Sequence, residues 1–258
     1  LTIATLVFRA DNTSDMTSPK TVVYTAISGN YDVLKPPLWH MPGVRFICYA
    51  SAGLQRTHPW EVRPLPRNDL DPVRQARYVK LHPHQLLPDF DTSIWIDGSI
   101  LLLRNPLPLC SEYRHQSFVT FRHPTRTSLD AEADQCMRLQ KTGHELVSQQ
   151  IQHYLERGLP AEGNLIESNV LIRQHHQPHN VEMHKLWWEE ILRWSPRDQL
   201  AFPWAVQESR FNYATMPGSS RGSNPYFLSV KHGKTLSLKD RIRAYHVYAR
   251  TVFPSTNP

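Results

Sequence analysis

Short apolar runs alternate with longer amphipathic stretches along these 258 residues, an order that predicts an α/β fold with a central sheet flanked by helices. Thr21 to Ile27 (T-V-V-Y-T-A-I) is β-branched and aromatic, which predicts a buried strand. Val44 to Ala50 (V-R-F-I-C-Y-A) predicts a second strand of the same kind, and Glu61 to Leu65 a short third. Asp71-Pro72 places Asp at an N-cap and Pro at the first helical position, so a helix is predicted over 72–81. Arg74, Arg77 and Lys80 then share one helix face. That face reads either as a solvated basic surface or as a cationic clamp on a diphosphate.

The stretch from Thr92 to Leu103 (T-S-I-W-I-D-G-S-I-L-L-L) sets a single carboxylate between two apolar runs. Ser93 to Ile96 is predicted as a buried strand that delivers Asp97 into a Gly-Ser turn. Asp-Gly is common turn chemistry, so Asp97 has a purely local reading. A carboxylate where a buried strand ends is also costly unless paired or bound, and ligands sit at the carboxyl ends of strands in open α/β sheets.

Ser117 to Arg122 predicts another strand, ending in His123-Pro124-Thr125-Arg126. Leu129, Ala133, Cys136 and Met137 form one helical stripe, stopped at Gly143. Val147, Ile151, Tyr154 and Leu155 form a second, stopped by Gly158 and Pro160. Glu132 falls in the first turn, where complementing the helix dipole would explain it. Leu165 to Ile172 predicts a strand in which Glu167 and Asn169 alternate in phase with Leu165 and Leu171. Met183, Trp187, Ile191 and Trp194 make a strong helical stripe, with Trp187-Trp188 read as core. Ser195-Pro196-Arg197-Asp198 resembles a capping box, with Ser195 as N-cap. Residues 215–225 read as a mobile loop, and Tyr226 to Lys231 is the last element predicted, before His232-Gly233-Lys234.

Composition narrows the function classes. The chain is 40% hydrophobic and 20% charged, ordinary for a soluble globular domain. No apolar run approaches a membrane span. The start has neither a basic n-region nor a small-residue cleavage site, so no signal peptide and a cytoplasmic location are expected. Residues 10–20 read as a polar lead-in, with one domain over 21–258. Three widely spaced cysteines (Cys48, Cys110, Cys136) argue against a disulfide framework. The net charge of +6 favours an acidic partner, but the basic residues are spread along the chain, which argues against nucleic acid. Charge suits loose attachment to the inner face of a membrane, with no amphipathic anchor evident. Gly-x-Gly-x-x-Gly, P-loop, HExxH and nucleophile-elbow motifs are all absent. His175, His176, His179 and His184 lack zinc spacing and read as structural or surface histidines.

Polar groups gather at four strand ends: Ser28 to Asp32, Asp97 to Ser99, His123 to Arg126, and Glu167 with Asn169. That convergence favours a cleft at one sheet edge. Six ordered motifs then carry a family resemblance. They are T-A-I-S-G-N-Y-D (25–32), K-L-H-P-H-Q-L-L-P-D-F-D-T-S-I-W-I-D-G-S-I (80–100), F-R-H-P-T-R (121–126), Q-x-x-x-Y-x-x-x-G-x-P (150–160), N-L-I-E-S-N-V-L-I-R-Q-H (164–175) and S-P-R-D-Q-L-A-F (195–202). Together they resemble the glycosyltransferase-like family formerly labelled domain of unknown function 616, found in bacterial polysaccharide loci and plant mucilage-type proteins.

The resemblance implies a GT-A-like (Rossmann-like) fold with a nucleotide sugar, UDP-linked by expectation, across the strand ends. Asp97-Gly98-Ser99 occupies the place of a metal-binding Asp-x-Asp turn, with Ser99 where a second acid is expected. It implies Mn²⁺ or Mg²⁺ at Asp97 and Ser99, completed by His232, with His246 as the other late histidine. Thr25, Ser28 and Tyr31 would face the nucleotide, and Arg77, Lys80, Asp97 and Gly98 the donor diphosphate. Asp198 and Gln199 would approach the donor sugar, with Asp198 or Glu132 as a base. His123, Arg126, Glu167, Asn169 and Arg197 would shape the sugar or acceptor side. The implied activity is sugar transfer to a glycan or lipid-linked acceptor in bacterial surface polysaccharide synthesis. The alternatives are a catalytically silent nucleotide- or glycan-binding domain and, from charge alone, a nucleic-acid-binding module.

Overall fold

Among the described residues seven strands form the main sheet and two more a small ribbon beside it. The structure is a computed structural model that describes residues 20–252, apart from 30, 55, 56, 139–142, 164, 223 and 234. Along the first half run β1 (Thr21–Ile27), β2 (Arg45–Ala50), β3 (Glu61–Pro64), α1 (Pro72–Leu81), α2 (Pro83–Leu86), β4 (Thr92–Ile96), β5 (Ile100–Leu102), α3 (Leu107–Glu112) and β6 (Phe118–Arg122). The second half holds α4 (Leu129–Arg138), α5 (His144–Glu156), β7 (Ile166–Arg173), α6 (Pro178–Arg193), α7 (Asp198–Ser209), β8 (Ala214–Met216), β9 (Phe227–Ser229) and α8 (Leu238–Val252). The main sheet has the order β3-β2-β1-β4-β7-β6-β8, parallel throughout except for β7. This is the mixed α/β architecture that the apolar pattern predicts. The lead-in expected over 10–20 lies outside the described residues except for Lys20, whose amide donates to Asp91 Oδ2 at 2.8 Å.

The sheet is buried on both faces, which is why β1 is apolar without alternation. On one face Tyr24, Trp95 and Leu171 pack against Met183, Trp187 and Ile191 of α6 and Phe202 of α7. On the other, Val23, Ile94 and Val170 pack against Leu109 of α3 and Phe227 of β9. Trp187 and Trp188 are core residues, as their helical spacing predicts.

Several expectations need correction. The face of Arg74, Arg77 and Lys80 is not solvated: Arg74 donates to the carbonyls of Ile191 and Trp194 at the end of α6, at 3.2 and 3.0 Å. Leu155 faces outward, and Gln150 replaces it on the inner side of α5 beside Val147, Ile151 and Tyr154. Ser195 is not an N-cap; its hydroxyl donates to Gln150 Oε1 at 2.6 Å, and α7 begins at Asp198 with Arg197 at the cap position. In the loop expected to be mobile, Met216, Ser219, Ser220 and Asn224 are buried. Simple alternation fails in β7, because the pairing with β6 jumps from Leu171 opposite Thr120 to Glu167 opposite Phe121. Thr120 Oγ1 lies 2.8 Å from Val170 O and 3.2 Å from Glu167 O, which closes this bulge. Helix α8 is an element that the apolar pattern does not predict.

Candidate active site

Topology assembles one edge of the sheet into a cavity of about 680 Å³. Strands β1 and β4 run parallel, so Ser28 and Asp97 emerge together at their carboxyl ends. Because β7 runs the other way, its first residues, Glu167 to Asn169, return to the same edge. Asp97 N donates to Asn169 O at 2.9 Å, which locks the two strand ends together. The first two turns of α1 and the start of α7 complete the wall with Arg77 and with Arg197, Asp198 and Gln199. Helix α1 starts where the sequence predicts, with Asp71 Oδ1 accepting from the amides of Val73 and Arg74 at 3.0 Å each. Helix α7 has no side-chain cap at its N-terminus, which opens into the cavity.

A buried ion cluster lies under this wall. Lys80, with no exposed surface, donates to Asp198 Oδ2 at 2.5 Å and lies 3.7 Å from Asp97 Oδ1. Asp198 also accepts from Ser168 Oγ at 2.8 Å, and its other oxygen is 3.3 Å from Arg77. Burial alone would raise the Asp198 pKa, but the fields of Arg77, Lys80 and Arg197 outweigh it and hold the carboxyl well below its usual range. Asp198 is therefore a fixed negative charge with both oxygens engaged, a poor arrangement for a proton acceptor. Asp97 is the most open carboxylate in the cavity. Its side chain is 27% exposed, against 3% for Asp198 and 2% for Glu167, and its Oδ1 is oriented by Trp95 Nε1 at 2.7 Å.

The metal ligands implied by resemblance, Asp97, Ser99 and His232, all line the cavity. His232 Nδ1 bonds Asp32 Oδ2 at 2.8 Å. Asp32 also accepts from Gly233 N at 3.0 Å. Among the described residues no three His, Cys, Asp or Glu side chains are disposed as metal ligands. Asp97, Ser99 and His232 through Nε2 are the groups that would hold a divalent cation, and the Lys80 ammonium, 3.7 Å from Asp97 Oδ1, is a competing charge there.

Of the other residues singled out by sequence, Ser28, Tyr31, Arg77, Gly98, Asn169, Arg197 and Gln199 line the cavity. Thr25 does not: it is buried within β1, and its hydroxyl has no partner. Lys80 sits behind Asp97 and Asp198 rather than facing a ligand. Glu132 is fully buried, held by Arg126 at 2.5 Å and Arg197 at 3.1 Å, so it orients Arg197 instead of serving as a base. His123, also buried, accepts from Arg126 N at 2.8 Å, and burial, then Arg126 and Arg221, push its pKa down to about 4. His123 and Arg126 therefore back the wall from outside the cavity, and His246 lies exposed on α8 away from it.

Ser168 and Arg221 line the cavity although the sequence assigns them no place in the site, and Asp32, one of the strand-end polar groups, joins them without a role read from sequence. Arg221 Nε bonds Glu167 Oε1 at 2.9 Å across 54 residues of chain, a pairing with no local signal. Asp32 lies in the polar turn after β1. Its packing against Gly98 crowds that position: an added Cβ would sit 2.8 Å from Ile27 Cδ1 and 3.0 Å from Asp32 Cβ. Gly98→Ala is expected to lower stability by about 1–3 kcal/mol through overpacking, read as a lower denaturation midpoint. An unchanged midpoint would show that the turn has room.

Comparison with known proteins agrees with the motif-based resemblance. Over 143 residues the chain is 27% identical to the "Probable hexosyltransferase MUCI70" of Arabidopsis thaliana, an alignment covering 51% of this chain and 24% of that protein. The chain thus spans about a quarter of that relative's length. Among solved structures, apo mouse xyloside xylosyltransferase 1 aligns with a TM-score of 0.42 at 9% identity, over 77% of this chain and 84% of that one. The apo bifunctional glycosyltransferase WbbM aligns with a TM-score of 0.45 at 10% identity, over 92% of this chain and 45% of that one. The family model of the TOD1/MUCI70 glycosyltransferase-like domain matches residues 61–216, more than half of the chain and most of the cavity wall, and the chain belongs to that family.

Proposed function

We propose that this domain transfers a sugar from a nucleotide-sugar donor, in a GT-A-like arrangement, to a hydroxyl of a glycan or lipid-linked acceptor. The observation that carries the reading is the coincidence of the family match with the cavity: Arg77, Asp97, Glu167, Asp198 and Gln199 all fall within residues 61–216 and line one space. In such a transfer the acceptor oxygen bonds the sugar carbon, the bond to the donor diphosphate breaks, and the hydroxyl proton must leave. Arg77, Arg197 and Arg221, with the uncapped start of α7, suit the charge gathering on the leaving diphosphate. Asp97, oriented by Trp95 and most open to the cavity, suits the proton.

Isothermal titration with UDP- and GDP-sugars, with and without Mn²⁺, tests donor binding, and the Mn²⁺ arm tests the metal expected at Asp97. Arg77→Ala is expected to weaken donor binding about tenfold or more. Asp97→Asn is expected to cut turnover by roughly 10²–10⁴-fold with donor affinity little changed. The absence of binding and hydrolysis for every donor would refute the reading. Ser99, standing where a second acid is expected, favours one alternative, a domain that binds the nucleotide or glycan without turning it over. Binding without turnover in the same titrations would select it.

A further inference from the structure

Helix α8 carries a surface pattern that the cavity does not use. Leu238, Ile242, Tyr245 and Ala249 recur at helical spacing and are all exposed, with Leu238 at 73%, Ile242 at 48% and Tyr245 at 46%. The opposite face carries Ala244 and Val247, which pack on Leu101, Leu103, Leu228 and Val230 of the β5–β9 layer. One apolar face is therefore committed to the fold, and the other is exposed with respect to the described residues. Basic residues flank the exposed stripe: over Leu238–Val252 the helix has Lys239, Arg241, Arg243 and Arg250 against the single acid Asp240. Trp39, itself 42% exposed, extends the stripe by packing on Tyr245 and Tyr248 with ring centroids 5.6 and 5.5 Å apart.

We propose that this face of α8, together with Trp39, docks on an anionic lipid bilayer. The apolar stripe would enter the headgroup–acyl boundary, and the flanking cations would meet the lipid phosphates. Charge decides the occupant. A two-fold contact with a second copy would set Lys239 and Arg241 against their own equivalents on a chain of net charge +6, whereas an anionic surface complements them. Clustered Trp and Tyr suit the interfacial zone. No described helix is long and apolar enough to cross a membrane, so the contact lies along the surface. Arg243 donates to the carbonyls of Arg221 and Ser229 at 2.6 and 3.3 Å, and both of those residues line the cavity. Docking would thus hold the cavity close to the headgroups. Attachment by dispersed charge alone, the sequence-based expectation, gives way to a defined amphipathic face.

Co-sedimentation of the whole chain with phosphatidylcholine vesicles, with and without phosphatidylglycerol, tests the proposal. Binding is expected to the anionic vesicles, weakening as salt rises, and to be slight for the neutral ones. Arg241→Glu should lower the partition coefficient roughly fivefold or more. The double variant Leu238→Glu/Ile242→Glu should lower it about tenfold or more with unchanged circular dichroism. Should the double variant misfold, the wild-type vesicle series and Arg241→Glu decide. Failure of the wild type to sediment with anionic vesicles would overturn the proposal, as would equal binding by the folded variants. So would light scattering that shows a dimer dissociated by the double variant, which would assign the face to a second copy.

Discussion

Asp198→Ala is expected to cost about 3–5 kcal/mol, because it strands the buried Lys80 ammonium without its main partner. Asp97 remains 3.7 Å away, too far and too solvated to replace a 2.5 Å contact. For a chain of this size the loss corresponds to a fall in Tm of roughly 6–20 °C by calorimetry. Arg77 also loses its anchor on Asp198, so donor binding should fall together with stability. Lys80→Met/Asp198→Leu separates the two effects. Removing both charges is expected to restore most of the stability, since apolar replacement of a buried ion pair is often close to neutral. It should not restore binding, because Arg77 still lacks its carboxylate. A double variant as unstable as Asp198→Ala would show that the cluster stabilises the fold as a unit.

The second large effect is acid destabilisation centred on histidines. His84, His175 and His184 lie in the field of Arg173, with His82 in the fields of His84 and His184 and with His176 in those of His84 and His175. Burial foremost pushes His82 and His175 down to about 4, as it does His123, and carries His184 well below its ordinary value. The geometry explains the preference for the neutral form. His184 Nε2 lies 3.2 Å from Arg173 Nη1, so it accepts a hydrogen bond from a cation, and Arg173 is in turn fixed by Tyr24 Oη and the Lys80 carbonyl. The unfolded chain binds these protons near the ordinary histidine value of 6.5, above the folded values. Stability is therefore complete above that pH and is lost as the pH falls toward 4. The depressed Asp198 carboxyl adds a separate loss only below its ordinary value of 3.8. Urea midpoints monitored by circular dichroism should fall between pH 7.5 and pH 5, with the unfolding free energy lower by roughly several kcal/mol in all. A flat midpoint across that range would refute the argument.

Asp198 and these histidines are plain in the sequence, but their surroundings are not. Asp198 comes after Ser-Pro-Arg, a local context that reads as a helix start with a capping box. The helix is there, but the cap is not, because Ser195 hydrogen-bonds Gln150 of another helix and Asp198 turns inward to Lys80. The histidines around 175–184 lack zinc spacing, yet spacing cannot show that they share a buried neighbourhood with His82 and His84. Helix α8 escapes local patterning because its exposed stripe of Leu238, Ile242 and Tyr245 is interrupted by charge, and its inner face is mostly the small Ala244.

What the sequence determined by itself is local. The β-branched run at 21–27 is strand because such residues fit a pleated, doubly buried surface, and Asp71-Pro72 starts α1 because its capping hydrogen bonds are made within four residues. The motif order from Lys80 to Phe202 likewise identified the family, since ordered motifs can be read without coordinates. Tertiary structure alone decided which charges meet. The reversal of β7, the bulge at Thr120 and the inward turn of α7 bring Glu167 to Arg221 and Lys80 to Asp198. Such pairs lie far apart in sequence, and partner choice among buried charges is governed by distance and desolvation in space, which no local pattern records.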